Sequence, residues 1–214
     1  MKHALTATLL ALGILFNASA QAAFTAADAA ELDKEASAAV ARFQNETTGT
    51  EAVLNNAKGI LICPKITKGG FIIGVEGGKC VLRIGGKTVD YYANRAGKFG
   101  WLAGIQWYSL ILVFNDQESL DKFRTGDRDF EVGVDASVAV AEMGASGSLD
   151  TTNFKEPIVA YTFGEKGLMA DLSLEGAVFK KLEVLKDNTQ PLSECRQFSR
   201  LNCIGTEFPY LNVT

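Results

Sequence analysis

The sequence predicts an α+β fold: an antiparallel, glycine-rich β-sheet or barrel with an N-terminal amphipathic helix and short helices packed against it. Three observations predict it. Apolar residues recur at helical spacing over residues 26–44, the period shortens to that of strands from Ile60 onward, and the β-branched and aromatic runs that follow are broken by glycine, of which the chain has 21.

The first helix has Thr25 as its cap and Asp28 three residues on, the pattern of a capping box. Leu32, Ala36, Val40 and Phe43 fall on one face, and Asp33, Lys34 and Arg42 lie elsewhere. The expected target of that face is the protein's own core; a lipid surface is the alternative, weakened by the small alanine side chains. A shorter helix over 51–58 takes Thr48 as cap, Glu51 as its box partner and Gly59 as its stop. Strands are predicted at 60–63, stopped by Pro64, at 71–75, and at 79–84 turning through Gly85-Gly86 into 88–93 as a hairpin. Alternation sets Cys80, Leu82 and Ile84 on one face and Lys79, Val81 and Arg83 on the other, with the charges outward. Residues 99–114 carry Trp101, Trp107 and Tyr108 and suffice for two strands or one bent strand, with Gly100 and Gly104 permitting a bulge. Asn115 caps a helix ending near Arg124, with Glu118 in the box position. Further strands are expected at 130–141, 158–164 and 168–182, and the pattern fades into a polar tail after Leu185.

The N-terminus has the layout of a secretory signal: Lys2 and His3, an apolar run over 4–16, then Asn17-Ala18-Ser19-Ala20-Gln21-Ala22. The run is well short of the ~20 residues that cross a bilayer. Cleavage is expected after Ala22, with Ala20 as the alternative site, and the first cysteine, Cys63, lies too far along for a lipid-modified signal. The expected organisation is a signal peptide at 1–22, a single domain at 23–185 and a tail at 186–214, in a protein that is periplasmic or secreted. Loss of Lys2 takes the formal charge of −4 to −5, so no nucleic-acid partner is expected. The charge is uneven. Residues 58–98 hold eight bases (Lys58, Lys65, Lys68, Lys79, Arg83, Lys87, Arg95, Lys98) and two acids (Glu76, Asp90), a net +6 on an otherwise acidic chain. Such a stretch marks either a face for an anionic partner or ordinary solvated strand edges.

The one histidine is His3, inside the expected signal. Nucleophiles activated by histidine, histidine general bases and most catalytic zinc sites are therefore excluded from the mature chain, and no enzyme is expected. The glycine clusters carry no phosphate loop. Gly86-Lys87-Thr88 has Val81 where the first glycine belongs, and Gly77-Gly78-Lys79-Cys80 has Ile73 there and a cysteine in place of the hydroxyl. Gly144-Ala145-Ser146-Gly147-Ser148 is a loose nucleophile elbow without a base. All three are read as turns, and neither cofactor nor metal is expected. Four cysteines in an exported chain suggest two disulfides. Cys195 with Cys203 is the preferred pair; one straight helix would hold them about 12 Å apart, so a loop must intervene. Cys63 and Cys80 either meet across neighbouring strands or remain buried free thiols.

The segment Asn56-Ala57-Lys58-Gly59-Ile60-Leu61-Ile62-Cys63-Pro64-Lys65-Ile66-Thr67-Lys68-Gly69-Gly70-Phe71-Ile72-Ile73-Gly74 resembles the signature of the SYLF domain family. The likeness continues, in order, through Gly104-Ile105-Gln106, Leu112-Val113-Phe114, Asp135-Ala136-Ser137-Val138-Ala139, and Tyr161 with Lys166-Gly167-Leu168, and so covers roughly residues 50–182. Cys63 departs from the usual aromatic residue before the proline, and Gly77-Gly78-Lys79-Cys80 varies the usual acidic turn; the two departures together hint at a private Cys63 to Cys80 bond. The resemblance implies lipid binding, with phosphoinositides as ligands of eukaryotic members and actin association in fungal ones. Actin is not an expected partner in a bacterial envelope, where anionic phospholipid is abundant. The motif positions that match a headgroup site are Lys58, Lys65 and Lys68, with Lys79, Arg83 and Lys87 as extensions. Each cation near an anionic membrane contributes ~1 kcal/mol. Trp101, Trp107 and Tyr108 belong either to the interface or to the core. The expected function is non-catalytic binding of anionic phospholipid through the basic face of residues 58–98; the alternative is an envelope scaffold or stress-related protein that binds another protein.

Overall fold

The change of period at Ile60 is a change of layer. In the computed structural model, which describes residues 23–70, 73–99, 104–126, 128–141, 156–166 and 174–185, two helices, α1 (Ala26–Glu46) and α2 (Thr50–Asn56), precede a sheet. The long strands are β1 (Gly59–Gly70), β2 (Ile73–Ile84), β3 (Lys87–Phe99) and β4 (Gly104–Phe114). Then come α3 (Gln117–Thr125), β5 (Phe130–Glu131), β6 (Ala139–Ala141), β7 (Ile158–Lys166) and β8 (Val178–Leu182). Among the described residues the strands form one open sheet in the order β5-β8-β3-β2-β1-β4-β7-β6, antiparallel except for the β6–β7 pair. Thr25 bridges Leu185, so the first and last described segments meet. The expected signal, the tail with Cys195 and Cys203, Trp101 and Gly144-Ala145-Ser146-Gly147-Ser148 all lie outside the described residues.

Helix α1 begins as expected. The Thr25 side chain accepts from the Asp28 amide, and Asp28 Oδ2 accepts from the Thr25 amide at 2.9 Å. Its buried residues, Ala29, Leu32, Ala36, Ala39 and Phe43, lie three or four apart and pack on Ile62, Val81, Ile111, Val113, Val159, Tyr161 and Phe163. The apolar face thus meets the protein's own sheet. The opposite face of that sheet is buried as well. Leu61, Cys63, Ile66, Cys80, Leu82, Leu110, Leu112 and Phe114 lie there under Leu120 and Phe123 of α3. Phe123 is its hub, with ring centroids 4.7 Å from Tyr92, 5.0 Å from Phe114 and 4.9 Å from Phe130. Because both faces are covered, the expected outward face of β2 is corrected: Val81 is fully buried beneath α1, and Arg83 donates to the Asp33 carbonyl and to Ser37 on that helix.

Five further expectations are revised. Pro64 does not stop β1. It sits in a bulge where the register against both β2 and β4 shifts, a place where the lost amide of proline breaks no ladder bond. Gly77-Gly78 is no turn but the middle of β2, and Gly78 has a steric cause: a Cβ there would lie 2.6 Å from the Lys65 carbonyl oxygen. The cap of α2 is Gly49 at φ 88°, without a side-chain bond, in place of Thr48; that of α3 is Asp116, which accepts from the Ser119 amide, while Asn115 reaches the Glu156 carbonyl. Residues 130–141 are not one strand. Gly133 at φ 89° and the Asp135 carboxylate, accepting from the Glu131 amide, reverse the chain and send β5 and β6 to opposite edges. The expected strand over 168–182 is described only from Val178.

The Gly85-Gly86 hairpin forms as expected, with φ of 56° and 78°, the positive pair that a two-residue turn between twisted strands demands. Cys63 and Cys80 are joined in a disulfide across the bulge, both fully buried, which settles the open choice against free thiols.

Two outcomes test this account. Gly78→Ala is expected to lower stability by about 2 kcal/mol, read as a lower urea midpoint at unchanged slope, because the methyl has nowhere to go between β1 and β2. Burial, and then the hydrogen bond its hydroxyl donates to Asp33, push the Tyr91 phenol up to about 12. The folded state therefore holds this proton more tightly than the unfolded chain. Its contribution to stability is complete below pH ~10 and is lost as pH rises toward 12. An absorbance titration at 295 nm should show that late step in the wild type and lose it in Tyr91→Phe.

Candidate functional site: the uncovered end of the α1 face

Helix α1 crosses the strands, with its first half over β2 and β3 and its last turns over β4 and β7. Beyond it, the same face continues in two rows of register partners. Thr67 on β1 pairs with Gly77 on β2 and Trp107 on β4, and Gly77 pairs in turn with Arg95 on β3. One step further, Gly69 pairs with Val75 and Ile105, and Val75 with Gly97. Cross-strand partners share a face, so these side chains stand together. Val75 is 66% exposed, Ile105 56% and Trp107 41%, and Arg95 is exposed beside them. No acidic residue occupies either row.

Between these rows and the helix lies a cleft of about 280 Å³ lined by Arg42, Pro64, Lys65, Trp107, Tyr108, Ser109 and Gly164. The bulge shapes it. Ser109 Oγ donates to the Pro64 carbonyl at 2.6 Å and accepts from Arg42 Nη2. The Arg42 guanidinium carbon lies 5.1 Å from the centre of the Phe163 ring, and Gly164, at φ 63°, leaves the space that a Cβ would contest at 2.9 Å. Arg42 Nε is buried without a hydrogen-bond partner among the described residues; Glu46 lies 3.9 Å from it, beyond hydrogen-bond reach.

A second cleft, of about 330 Å³, adjoins the first through Pro64 and Lys65 and has a different electrostatic character. Lys65 and Lys79, register partners, line it together with Asp28, Glu31 and Glu35 of α1. Lys79 Nζ lies 4.9 Å from the centre of the Phe24 ring. The Thr25 amide, then the Thr25 hydroxyl, and lastly the charge of Lys79 hold the Asp28 carboxyl below the usual carboxylate range, against a small opposing effect of burial.

The structure sorts the six cations of the expected headgroup site into four settings. Lys65 and Lys79 stand together on the α1 face. Arg83, on the same face, is occupied in holding α1. Lys68 lies on the opposite face at 2% exposure, in a row with Glu76 and Gln106. Lys58 and Lys87 are exposed at the other end of the sheet, near Gly85-Gly86, and seven residues of strand put Lys58 about 23 Å from Lys65. Both acids of the basic stretch are engaged internally, Glu76 by the Tyr108 hydroxyl and Asp90 by Arg124 and Lys181. The aromatics divide too: Tyr108 is core at 3% exposure, and Trp107 is surface.

The sequence reading missed Arg42, Val75 and Ile105. Only Gly164, next to an aromatic in a strand, hinted that something large lay close to the backbone there.

Residues 95–186, from β3 to just beyond β8, match the model of the family described as Ysc84, Las17-binding protein actin regulator. No curated protein matches the chain. The family match and the motifs that begin upstream of it, at Asn56, agree: over residues 95–186 the chain is similar to the Ysc84 family, consistent with the SYLF resemblance of its sequence.

Proposed function

We propose that this domain binds anionic phospholipid surfaces, without catalysis, through the end of the sheet that α1 leaves uncovered. The observation that carries this reading is the grouping of Val75, Ile105 and Trp107, all exposed in neighbouring register positions, with Arg95 and Lys65 around them. Scattered exposed apolar residues need no explanation, but three adjacent ones rimmed by cations suit an interface whose outer layer is anionic and whose inner layer is hydrocarbon. An indole at the margin suits the headgroup level. Residues with ~1 kcal/mol per cation and a shallow apolar contact give reversible, salt-sensitive attachment. The basic face expected over residues 58–98 is thereby narrowed to Lys65, Lys79 and Arg95, and Lys58, Lys68, Arg83 and Lys87 are assigned no contact with lipid. The compartment proposed is the periplasm or exterior of a bacterium. The family's printed description names Las17 binding and actin regulation; neither is proposed for a chain with an expected export signal.

The test is co-sedimentation of the chain with phosphatidylglycerol or cardiolipin vesicles, with phosphatidylcholine as control. The bound fraction should rise with anionic content and fall with salt. Val75→Asp with Ile105→Asp should weaken binding about tenfold or more, since two carboxylates replace two apolar contacts. Lys65→Glu should weaken it less and flatten the salt dependence. A double variant that keeps its circular dichroism spectrum and still sediments like the wild type would refute the reading. Indifference to every vesicle, with retention of one protein partner, would instead favour an envelope scaffold.

A further inference from the structure

We infer that the cleft between α1 and the bulge is a discrete site for one phosphate group, held by Arg42 and Lys65. The inference deepens the membrane reading but does not need it, because a phosphate ester reaches the cleft equally from a lipid headgroup or from solution.

The argument begins with a cation whose donors are under-used. A guanidinium carries five N–H donors. The hydrogen bond described for Arg42 uses Nη2 alone, toward Ser109, and Nε is buried with no hydrogen-bond partner among the described residues. The neighbouring Glu46 is a surface residue 3.9 Å away, and an exposed pair of that kind contributes little. Yet the side chain is placed with care. Phe163 supports it from one side, Gly164 makes room for it, and Ser109, itself fixed by the Pro64 carbonyl, orients it. An arginine fixed before any ligand arrives loses less entropy on binding, and its planar fork matches the oxygens of a phosphate.

The surroundings choose the sign of the ligand. Lys65 supplies a second positive charge, Trp107 a wall, and among the described residues no carboxylate lines the cleft. The adjoining cleft shows the contrast, since Asp28, Glu31 and Glu35 share it with Lys65 and Lys79. About 280 Å³ accommodates a phosphate with a small polar substituent. Trp107 also borders the apolar rows, so a headgroup in the cleft would leave its acyl chains beside Val75 and Ile105.

The experiment titrates the full chain with glycerol phosphate and follows the Arg42 Nε–H resonance by NMR, with sodium chloride at matched ionic strength as control. A saturable shift with glycerol phosphate, absent with chloride, is expected. Arg42→Gln should weaken binding about tenfold, Arg42→Lys should restore it only in part, and Lys65→Gln, an exposed change that spares the fold, should weaken it about threefold. A vesicle arm separates the sources. If the phosphate is lipid-borne, Arg42→Gln lowers binding to phosphatidylglycerol vesicles; if it is soluble, glycerol phosphate binding is lost and vesicle binding is unchanged. Either result supports the site. Val75→Asp with Ile105→Asp should leave glycerol phosphate binding intact, which separates failure of the membrane reading from failure of this one. No shift of the Arg42 resonance in the wild type, or a shift equal to that with chloride, overturns the inference.

Discussion

Between Ile62 and Lys65 the central strand carries one residue more than β2 opposes to it, and both faces of the sheet beyond that point are set by the extra residue. Side chains alternate along a strand, so a single inserted residue exchanges the faces of all that follow. Before the bulge, Leu61 and Cys63 belong to the α3 side and Ile62 to the α1 side. After it, Ile66 lies on the α3 side with Lys68, and Lys65 comes out beside α1. Had β1 run without the bulge, Lys65 would point into the α3 core and Lys68 outward. The Cys63–Cys80 disulfide ties the bulged strand to its neighbour, and the Pro64 carbonyl, turned out of the ladder, fixes Ser109 and through it Arg42.

Burial on both faces explains how the cations are distributed. A sheet with one solvated face would display the charges of β1 to β3 in alternate positions. Here α1 occupies much of one face and α3 with the β5 and β8 aromatics occupies the other, so a basic residue of the α1 face must serve the packing or emerge beside the helix. Arg83 serves the packing by binding the Asp33 carbonyl and Ser37, and Tyr91 and Thr88 add hydrogen bonds to the Asp33 carboxylate from the sheet. Lys65, Lys79 and Arg95 emerge past the helix. The same boundary leaves Val75, Ile105 and Trp107 uncovered, so cationic and apolar groups adjoin for one geometric reason: the strands run on past the band that α1 crosses.

The two clefts beside Lys65 show how local sequence on α1 tunes that surface. Its first half carries Asp28, which in the first turn favours the positive end of the helix, and Glu31 and Glu35; all three line a cleft with Lys65 and Lys79. Near its other end stands Arg42, over Phe163 and Gly164. The helix therefore presents an acidic flank to one cleft and a cation to the other. Lys65, between them, belongs to both.

The sequence by itself determined the α+β class, the capping box and apolar stripe of α1, the Gly85-Gly86 hairpin, and the family motifs. Each of these is written in residues a few positions apart, where propensity, spacing and turn chemistry act directly. It also determined that the chain has a single histidine, His3. The tertiary structure decided what depends on a second segment: that Pro64 bends a strand and does not end it, that Gly78 makes room for the Lys65 carbonyl, and that Asp116 caps in place of its neighbour. It alone decided which of six lysines and arginines reach solvent together. Alternation reports that two faces differ, but which layer covers each face, and where a bulge exchanges them, is fixed only when distant strands pair.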